Sequence, residues 1–191
     1  MTERAKAFVE YVFRRKKDDA SFRSRMRNAG SGVRETAIWG DLVSFCDIGY
    51  EDIRSVYVLI GNSIALEEKE INGTYSFGKL LPLAWGDEKN EKLLDEQKLE
   101  QHPATVRLRR LLVCRDVSEL CRVLRPYLRL IRTRRPGELD YIKLLDDLIQ
   151  FQFGDDCRDA VKTRWVKDFY RSIQDRARKP DFEKEEGEGD E

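Results

Sequence analysis

Apolar residues recur three and four positions apart along most of this chain, and strict alternation of apolar and polar residues is almost absent. The first spacing places side chains on one face of an α-helix, whereas a half-buried strand needs the second. Glycine and proline are scarce, at 12 and 5 of 191 residues, and 38% of the residues are charged. Such a composition suits helices with solvated outer faces. The sequence therefore predicts an all-α fold.

We expect two small packed helical bundles. The charged stretch from residue 86 to 101 contains only three leucines for packing, which indicates a surface excursion or mobile helix between two lobes. The expected units are an N-terminal helical lobe at residues 1–100 and a C-terminal helical bundle at residues 101–178. Residues 179–191 are acidic and poor in apolar side chains, which predicts a disordered tail. Within the first lobe, a short helix or turn is expected from Ser76 to about Pro82.

The chain lacks the sequence patterns of the common enzyme classes. No zinc-protease, nucleophile-elbow, phosphate-loop or dinucleotide-binding motif occurs. The adjacent acids Asp146–Asp147 and Asp155–Asp156 point about 100° apart on a helix, which favours caps and solvated positions over a metal site. His102 precedes a proline at an expected helix start, where a structural role is favoured. We therefore expect no enzyme activity, no cofactor and no metal.

Membrane contact and disulfide bonding are also not expected. No apolar run approaches the roughly 20 residues of a membrane span. The first apolar run, Phe8 to Phe13, is interrupted by Glu10, unlike the core of a signal peptide. The four cysteines lack the C-x-x-C spacing of zinc sites and favour buried, reduced thiols in a cytoplasmic protein. They are Cys46, Cys114, Cys121 and Cys157.

Positive and negative charges are segregated along the chain, although the net charge is zero. Residues 1–34 carry ten basic and four acidic side chains, and residues 103–135 carry ten arginines and two acids. Residues 35–102 carry fourteen acids and six basic side chains, and residues 181–191 carry seven acids and one lysine. Clustered cations create local fields that the total conceals, so the two basic segments are the candidates for binding an anionic partner.

The strongest candidate surface is a row of arginines on one predicted helix. At about 100° per residue these arginines share one face and the apolar residues share another. We call this row the arginine stripe: Arg122, Arg125, Arg129 and Arg132. Like charges on one face repel each other, so the stripe costs stability unless an anion lies over it. Arginine also binds phosphate oxygens in a bidentate manner. Pairing with acids of residues 35–102 remains the alternative for each single arginine.

Further basic residues extend this candidate nucleic-acid surface. Arg107, Arg109 and Arg110 repeat the pattern on the preceding helix, and Arg134 and Arg135 follow the stripe. A second basic cluster combines residues 14–17 with arginines of the next helix, namely Arg23, Arg25, Arg27 and Arg34. Alternate spacing spreads these around a helix. For this cluster, a nucleic-acid contact and an ordinary exposed helix are equally supported.

Several short runs resemble one known family. Residues 76–81, which include Lys79, are similar to a small-hydrophobic-Gly-basic-x-Leu segment, and residues 106–112 resemble a V-x-L-R-R-L-L run in which Arg109 and Arg110 carry the match. A leucine-rich helix at residues 141–148 precedes a terminal helix with aromatic residues. Residues 26–29 fit an L-R-R-A segment with Arg27 kept and asparagine in place of the second arginine. Together these runs resemble the CasB family, the small subunit of the type I-E CRISPR complex Cascade.

The resemblance implies a helical protein that lies as a head-to-tail pair beside the CasC backbone and the CasA large subunit. Base pairing between guide RNA and target DNA reads the sequence, while protein cations hold the strands. The implied function is backbone binding without sequence preference, which stabilises the R-loop and the displaced single-stranded DNA. Lys79 and Arg27 join the stripe as expected contacts. The alternative is a scaffold subunit whose arginines bind acidic protein partners.

Overall fold

The structure, a computed structural model, describes residues 2–30, 34–85 and 96–177. Within these ranges the chain forms ten α-helices, one 3-10 helix (Glu35–Ile38) and no strand, so the all-α prediction is confirmed. The α-helices are α1 (Glu3–Asp18), α2 (Ala20–Ala29), α3 (Trp39–Leu42), α4 (Glu51–Ala65), α5 (Phe77–Trp85), α6 (Glu96–Gln101), α7 (Pro103–Leu112), α8 (Val117–Arg134), α9 (Tyr141–Gln150) and α10 (Asp155–Ala177).

Several helices begin at a side chain that accepts a hydrogen bond from the first turn. Such caps satisfy amide groups that have no partner inside the helix. His102 caps α7 through Nδ1, which accepts from the amide of Ala104, and this agrees with the structural role expected for it. The other side-chain caps are Thr2 for α1, Asp19 for α2, Asp116 for α8 and Asp140 for α9.

α4 lies at the centre of one group of helices and packs against α1, α2, α8 and α9. Its residues from Val56 to Gly61 are all buried, as expected of a helix that is apolar on most sides. A second group forms around α10, which packs most extensively on α5 and also contacts α7 and α9. Trp165 and Phe169 of α10 are completely buried, and the Trp165 ring lies 5.0 Å from that of Phe77.

α5 continues through Pro82 to Trp85, so the expected end near Pro82 is wrong. Pro82 has no N–H to donate to the carbonyl of Gly78, which normally weakens a helix. Burial of the neighbouring apolar side chains outweighs this loss, because both flanks of Pro82 pack into the core. Gly78 permits close contact with α10, since a Cβ there would lie 2.6 Å from the carbonyl oxygen of Trp165.

The packing of α5 on α10 joins a helix of the expected N-terminal lobe to one of the expected C-terminal bundle. The boundary at residue 100 stays a prediction. Most of the expected surface excursion and the predicted tail at residues 179–191 lie outside the described residues, and α6 is the described part of the excursion. Among the described helices, none combines the length and the apolar character that crossing a bilayer requires.

Candidate nucleic-acid interface

α8 carries the predicted stripe and is fixed to the core by its opposite face. Asp116 caps the helix, because its Oδ1 accepts a hydrogen bond from the Glu119 amide at 2.7 Å. The apolar face packs against α4, α5 and α7. Its buried members are Val117, Leu120, Cys121, Leu124, Tyr127, Leu128 and Ile131. The predicted separation of an apolar face from an arginine face is therefore confirmed for this helix.

The outer face of α8 presents three exposed arginines in a row. Arg122, Arg125 and Arg129 are exposed. Within the described part of the chain, none of the three forms an ion pair or a side-chain hydrogen bond. Arg132 is half-buried and lies close enough to Tyr141 for its charge to oppose the increase in the pKa of that phenol, which burial raises well above its usual range. The stripe thus has three free guanidinium groups and one that is partly enclosed.

The arginines of α7 differ from one another in their surroundings. Arg107 is half-buried, with its guanidinium carbon 4.8 Å from the centre of the Trp85 ring, and it also donates a hydrogen bond to the carbonyl of Pro103. Arg109 pairs with Glu100 at 3.3 Å, and both side chains are largely exposed. Arg110 is exposed, and no partner for it lies among the described residues. Arg110 is therefore the arginine of this helix that is both exposed and without a described side-chain partner.

The arginines that follow the stripe hold the end of α8. The Nη1 atom of Arg134 donates to the carbonyl oxygen of Ala84 at 2.8 Å, which ties α8 to the end of α5. Arg135 lies 3.7 Å from the carboxylate of Glu138, and both are half-buried. These contacts give both side chains a structural role, whereas a nucleic-acid contact for Arg134 or Arg135 stays a prediction.

Lys79 and Arg27 lie on other helices. Lys79 is half-buried on α5, and its carbonyl accepts a hydrogen bond from the Ser172 hydroxyl. Arg27 is exposed on α2 and lines a surface pocket of about 230 Å³ together with Lys17, Arg23 and three glutamates. The pocket is mixed in charge, so it offers less field for an anion than the stripe does.

One member of the second basic cluster is not a surface cation. Lys16 is buried, and its Nζ donates to the carbonyl oxygens of Ile64, Glu67 and Lys69 at 3.2, 3.0 and 2.7 Å. The inclusion of Lys16 in an exposed cluster is therefore wrong. The local sequence could not predict this burial, because the three carbonyl groups belong to the end of α4 and to the chain that follows it.

The adjacent acids Asp146 and Asp147 join helices to one another. Asp146 fixes the capping residue of α1, because its Oδ1 accepts hydrogen bonds from the amide and hydroxyl of Thr2. Asp147 is buried rather than solvated, contrary to expectation: its Oδ2 accepts from the Trp165 indole N–H at 2.6 Å, and Oδ1 pairs with Arg164. Burial raises the pKa of Asp147 to about 6, although both partners favour the carboxylate. The pair therefore anchors α9 to α1 and α10.

The described residues contain no cluster of three or more histidine, cysteine, aspartate or glutamate side chains arranged to hold a metal ion. All four cysteines are free thiols, and Cys157 alone among them is only half-buried. Burial raises the pKa of the Cys46 and Cys121 thiols, to about 11 and about 12. A thiol held protonated is a poor nucleophile and metal ligand, so these cysteines are packing residues.

Comparison with known proteins identifies relatives of this chain. The family of the CRISPR-associated protein Cse2 matches residues 19–170. Among solved structures, the crystal structure of a CRISPR-associated protein of the Cse2 family from Thermus thermophilus matches with a TM-score of 0.64. The two chains are 20% identical, and the match covers 90% of this chain and 99% of that one. No curated protein matches. At this identity the structural likeness establishes a shared fold.

Proposed function

Because this chain belongs to the Cse2 family of CRISPR-associated proteins, which is the CasB family of type I-E Cascade, we propose that it holds nucleic-acid backbone within such a complex. The family is a structural subunit of Cascade rather than an enzyme family. In this proposal the chain is a non-catalytic small subunit that stabilises the R-loop and the displaced non-target strand. Its proposed neighbours are CasA, CasC, the guide RNA with its target DNA, and a second copy of this chain.

The observation that carries the proposal is the set of free guanidinium groups on α8. Arg122, Arg125 and Arg129 are exposed and have no carboxylate partner among the described residues. Their mutual repulsion is relieved when an anion lies over the row. A phosphate backbone presents charges at regular intervals, and a guanidinium group binds two phosphate oxygens at once. Among the described residues, the row consists of guanidinium groups suited to phosphate and is not accompanied by a set of side chains arranged to read base edges, so we expect little sequence preference.

The test removes charge from the middle of the stripe. The double variant R125A/R129A, assembled into Cascade, is expected to shorten the lifetime of the R-loop and to expose the displaced strand to nuclease. If each lost phosphate contact costs on the order of 1 kcal/mol, the strand affinity falls roughly tenfold or more. Both residues are exposed and their charges repel each other, so the thermal unfolding temperature of the isolated chain is expected not to fall.

A matched control removes the same charge from another surface. Lys167 and Arg171 are exposed and lie four residues apart on α10. The variant K167A/R171A is expected to leave the R-loop lifetime within about twofold of the wild-type value, because its charges lie outside the stripe. An R-loop as stable with R125A/R129A as with the wild-type chain would overturn the proposal.

The second candidate is an acidic protein partner for the same surface. Arg109 with Glu100 and Arg135 with Glu138 show that arginines beside the stripe already pair with carboxylates in this fold. Under this alternative, R125A/R129A lowers the amount of the chain that enters the complex and leaves strand affinity per assembled complex unchanged. Under the leading proposal, incorporation is normal and strand affinity falls. Native mass measurement of the complex beside the strand-binding assay separates the two.

A further inference from the structure

The arginine face of α8 is an unpartnered helix face with a strong positive field. Its three exposed guanidinium groups form no ion pair with a carboxylate of the described residues, and the side chain of Arg110 of α7 is likewise exposed and without a described partner. The most densely acidic segment of the sequence follows the last described helix. This acidic segment is residues 181–191, with seven acids and one lysine.

The packing of α10 shows where this segment leaves the described fold. Ser76, which directly precedes α5, donates to Asp168 of α10, and Ser172 of α10 donates to the carbonyl of Lys79 of α5. α10 ends the described part of the chain at Ala177, five residues beyond Ser172.

α8 meets α5 at the C-terminal end of α5. The carbonyl of Ala84 accepts a hydrogen bond from Arg134, and the Trp85 ring lies 5.6 Å from the ring of Tyr127 in an edge-to-face contact. α5 thus lies against both α10, which ends at Ala177, and α8, which carries the stripe. Neighbouring packed helices lie about 10 Å apart, so α10 and α8 are within about two helix diameters of each other where they contact α5.

The remaining chain is long enough to cover the stripe. Fourteen residues follow Ala177, and an extended chain of that length spans up to about 45 Å. The stripe from Arg122 to Arg132 is about 15 Å long, since ten residues of α-helix rise that far. Attachment keeps the acids near the arginines at a local concentration on the order of 1 mM, which suffices for a contact that is weak between separate molecules.

We propose that residues 181–191 occupy the arginine stripe when no nucleic acid is bound and are displaced when a strand binds. The segment would then act as a tethered anion that competes with phosphate, so that weak, non-specific nucleic acid is excluded while a strand delivered by the assembled complex is accepted. This inference rests on the proposed function, because it assigns a regulatory role to the same site. The contact itself, however, exists without nucleic acid and is measured separately.

The experiment neutralises the segment at constant chain length. The full-length variant E183Q/E185Q/E186Q/E188Q is compared with the wild-type chain by NMR of the arginine Nε–Hε groups, in the absence of nucleic acid. The signals of Arg122, Arg125 and Arg129 are expected to shift on neutralisation, and 0.5 M salt is expected to remove the difference, because the Debye length then falls to about 4 Å.

Strand binding provides the second measurement. A tethered competitor at about 1 mM whose own dissociation constant is a few tenths of a millimolar weakens strand binding roughly three- to tenfold. The neutralised variant should therefore bind a single-stranded DNA oligonucleotide three- to tenfold more tightly than the wild-type chain. In the R125A/R129A background, the same neutralisation should change the affinity less than twofold.

A matched control separates this effect from overall charge. E10Q/E68Q/D156N/D159N removes four acids from exposed positions on the folded surface. It should leave the arginine signals unchanged and raise strand affinity less than twofold. Stripe signals that do not respond to the acidic segment, or an equal gain in affinity from the control, would overturn the inference. Stripe signals that respond while neither protein binds the oligonucleotide would support the contact and count against the proposed function.

Discussion

Lys16 holds the end of α4 through three hydrogen bonds to backbone carbonyls. Burial lowers the pKa of its ammonium, and the charge of Glu67 partly offsets that shift. Lys16→Met keeps much of the side-chain volume and removes the donor. We expect the free energy of unfolding to fall by about 2–4 kcal/mol, because acceptors in a buried site lose a charged donor. Urea denaturation followed by circular dichroism measures this change.

The next residue in sequence is the matched control for this prediction. Lys17 is 62% exposed and pairs with the similarly accessible Glu70 at 3.1 Å. Surface pairs of this kind contribute well under 1 kcal/mol, so Lys17→Met should change the unfolding free energy by no more than about 0.5 kcal/mol. Equal losses for the two variants would show that the carbonyl contacts of Lys16 do not stabilise the fold.

The environment of some single residues could be predicted from the sequence, and that of others could not. Arg125 could be placed on an exposed face because its neighbours on the helix follow a simple period, and the structure confirms that face. The burial of Lys16 and Asp147 could not be predicted, because the groups that surround each side chain are far away in the sequence. A charged side chain is normally exposed, and only the tertiary contacts reveal the carbonyl or indole N–H that makes burial tolerable.

At the scale of the helix, Pro126 is an unusual feature of α8. It lies inside the helix, is exposed, and has no N–H to donate to the carbonyl of Arg122. Pro126→Ala restores the donor and replaces the poorest helix former with the best. We expect the free energy of unfolding to rise by about 1–3 kcal/mol. Thermal and urea unfolding of the isolated chain measure the change.

Thr133→Ala on the same helix is the comparison variant, because it changes helix propensity and removes only one exposed hydrogen bond. Thr133 is exposed, and its hydroxyl donates to the carbonyl of Arg129. Propensity accounts for about 0.7 kcal/mol or less at such a position. A gain for Pro126→Ala no larger than that of Thr133→Ala would contradict the prediction and would mean that α8 accommodates the proline without loss.

Helix positions followed from the sequence where local chemistry determines them. α7 begins at Pro103, directly after His102, as expected from the sequence, because a first-turn proline acts within a few residues. The extent of α5 did not follow, since its continuation past Pro82 depends on contact with α10. Local sequence signals thus predict where a helix begins. They do not predict which helices far apart in the sequence will pack against each other.

For the molecule as a whole, a net charge of zero conceals two groups of cations, those paired with carboxylates and those without a described carboxylate partner. Some arginines are already paired within the fold, as Arg109 is with Glu100 and Arg164 is with Asp147. Others, including Arg125, have no described carboxylate partner. Composition could not distinguish the two groups, because the distinction depends on which acids the fold brings near. The unpaired group supplies the field that a phosphate backbone meets first.

This division leads to a prediction about salt dependence. Each phosphate contact with a single strand adds about 0.7 to the slope of log affinity against log salt concentration, because a bound counterion is released. Arg125→Ala should therefore lower the slope measured for the assembled complex by about 0.7. Arg109→Ala should lower it less, because a guanidinium group paired with Glu100 must leave that carboxylate to meet a phosphate. Equal decreases in slope for the two variants would mean that an ion pair within the fold does not determine which arginines bind phosphate. If Arg125→Ala did not lower the slope, the stripe would not be part of the strand-binding surface.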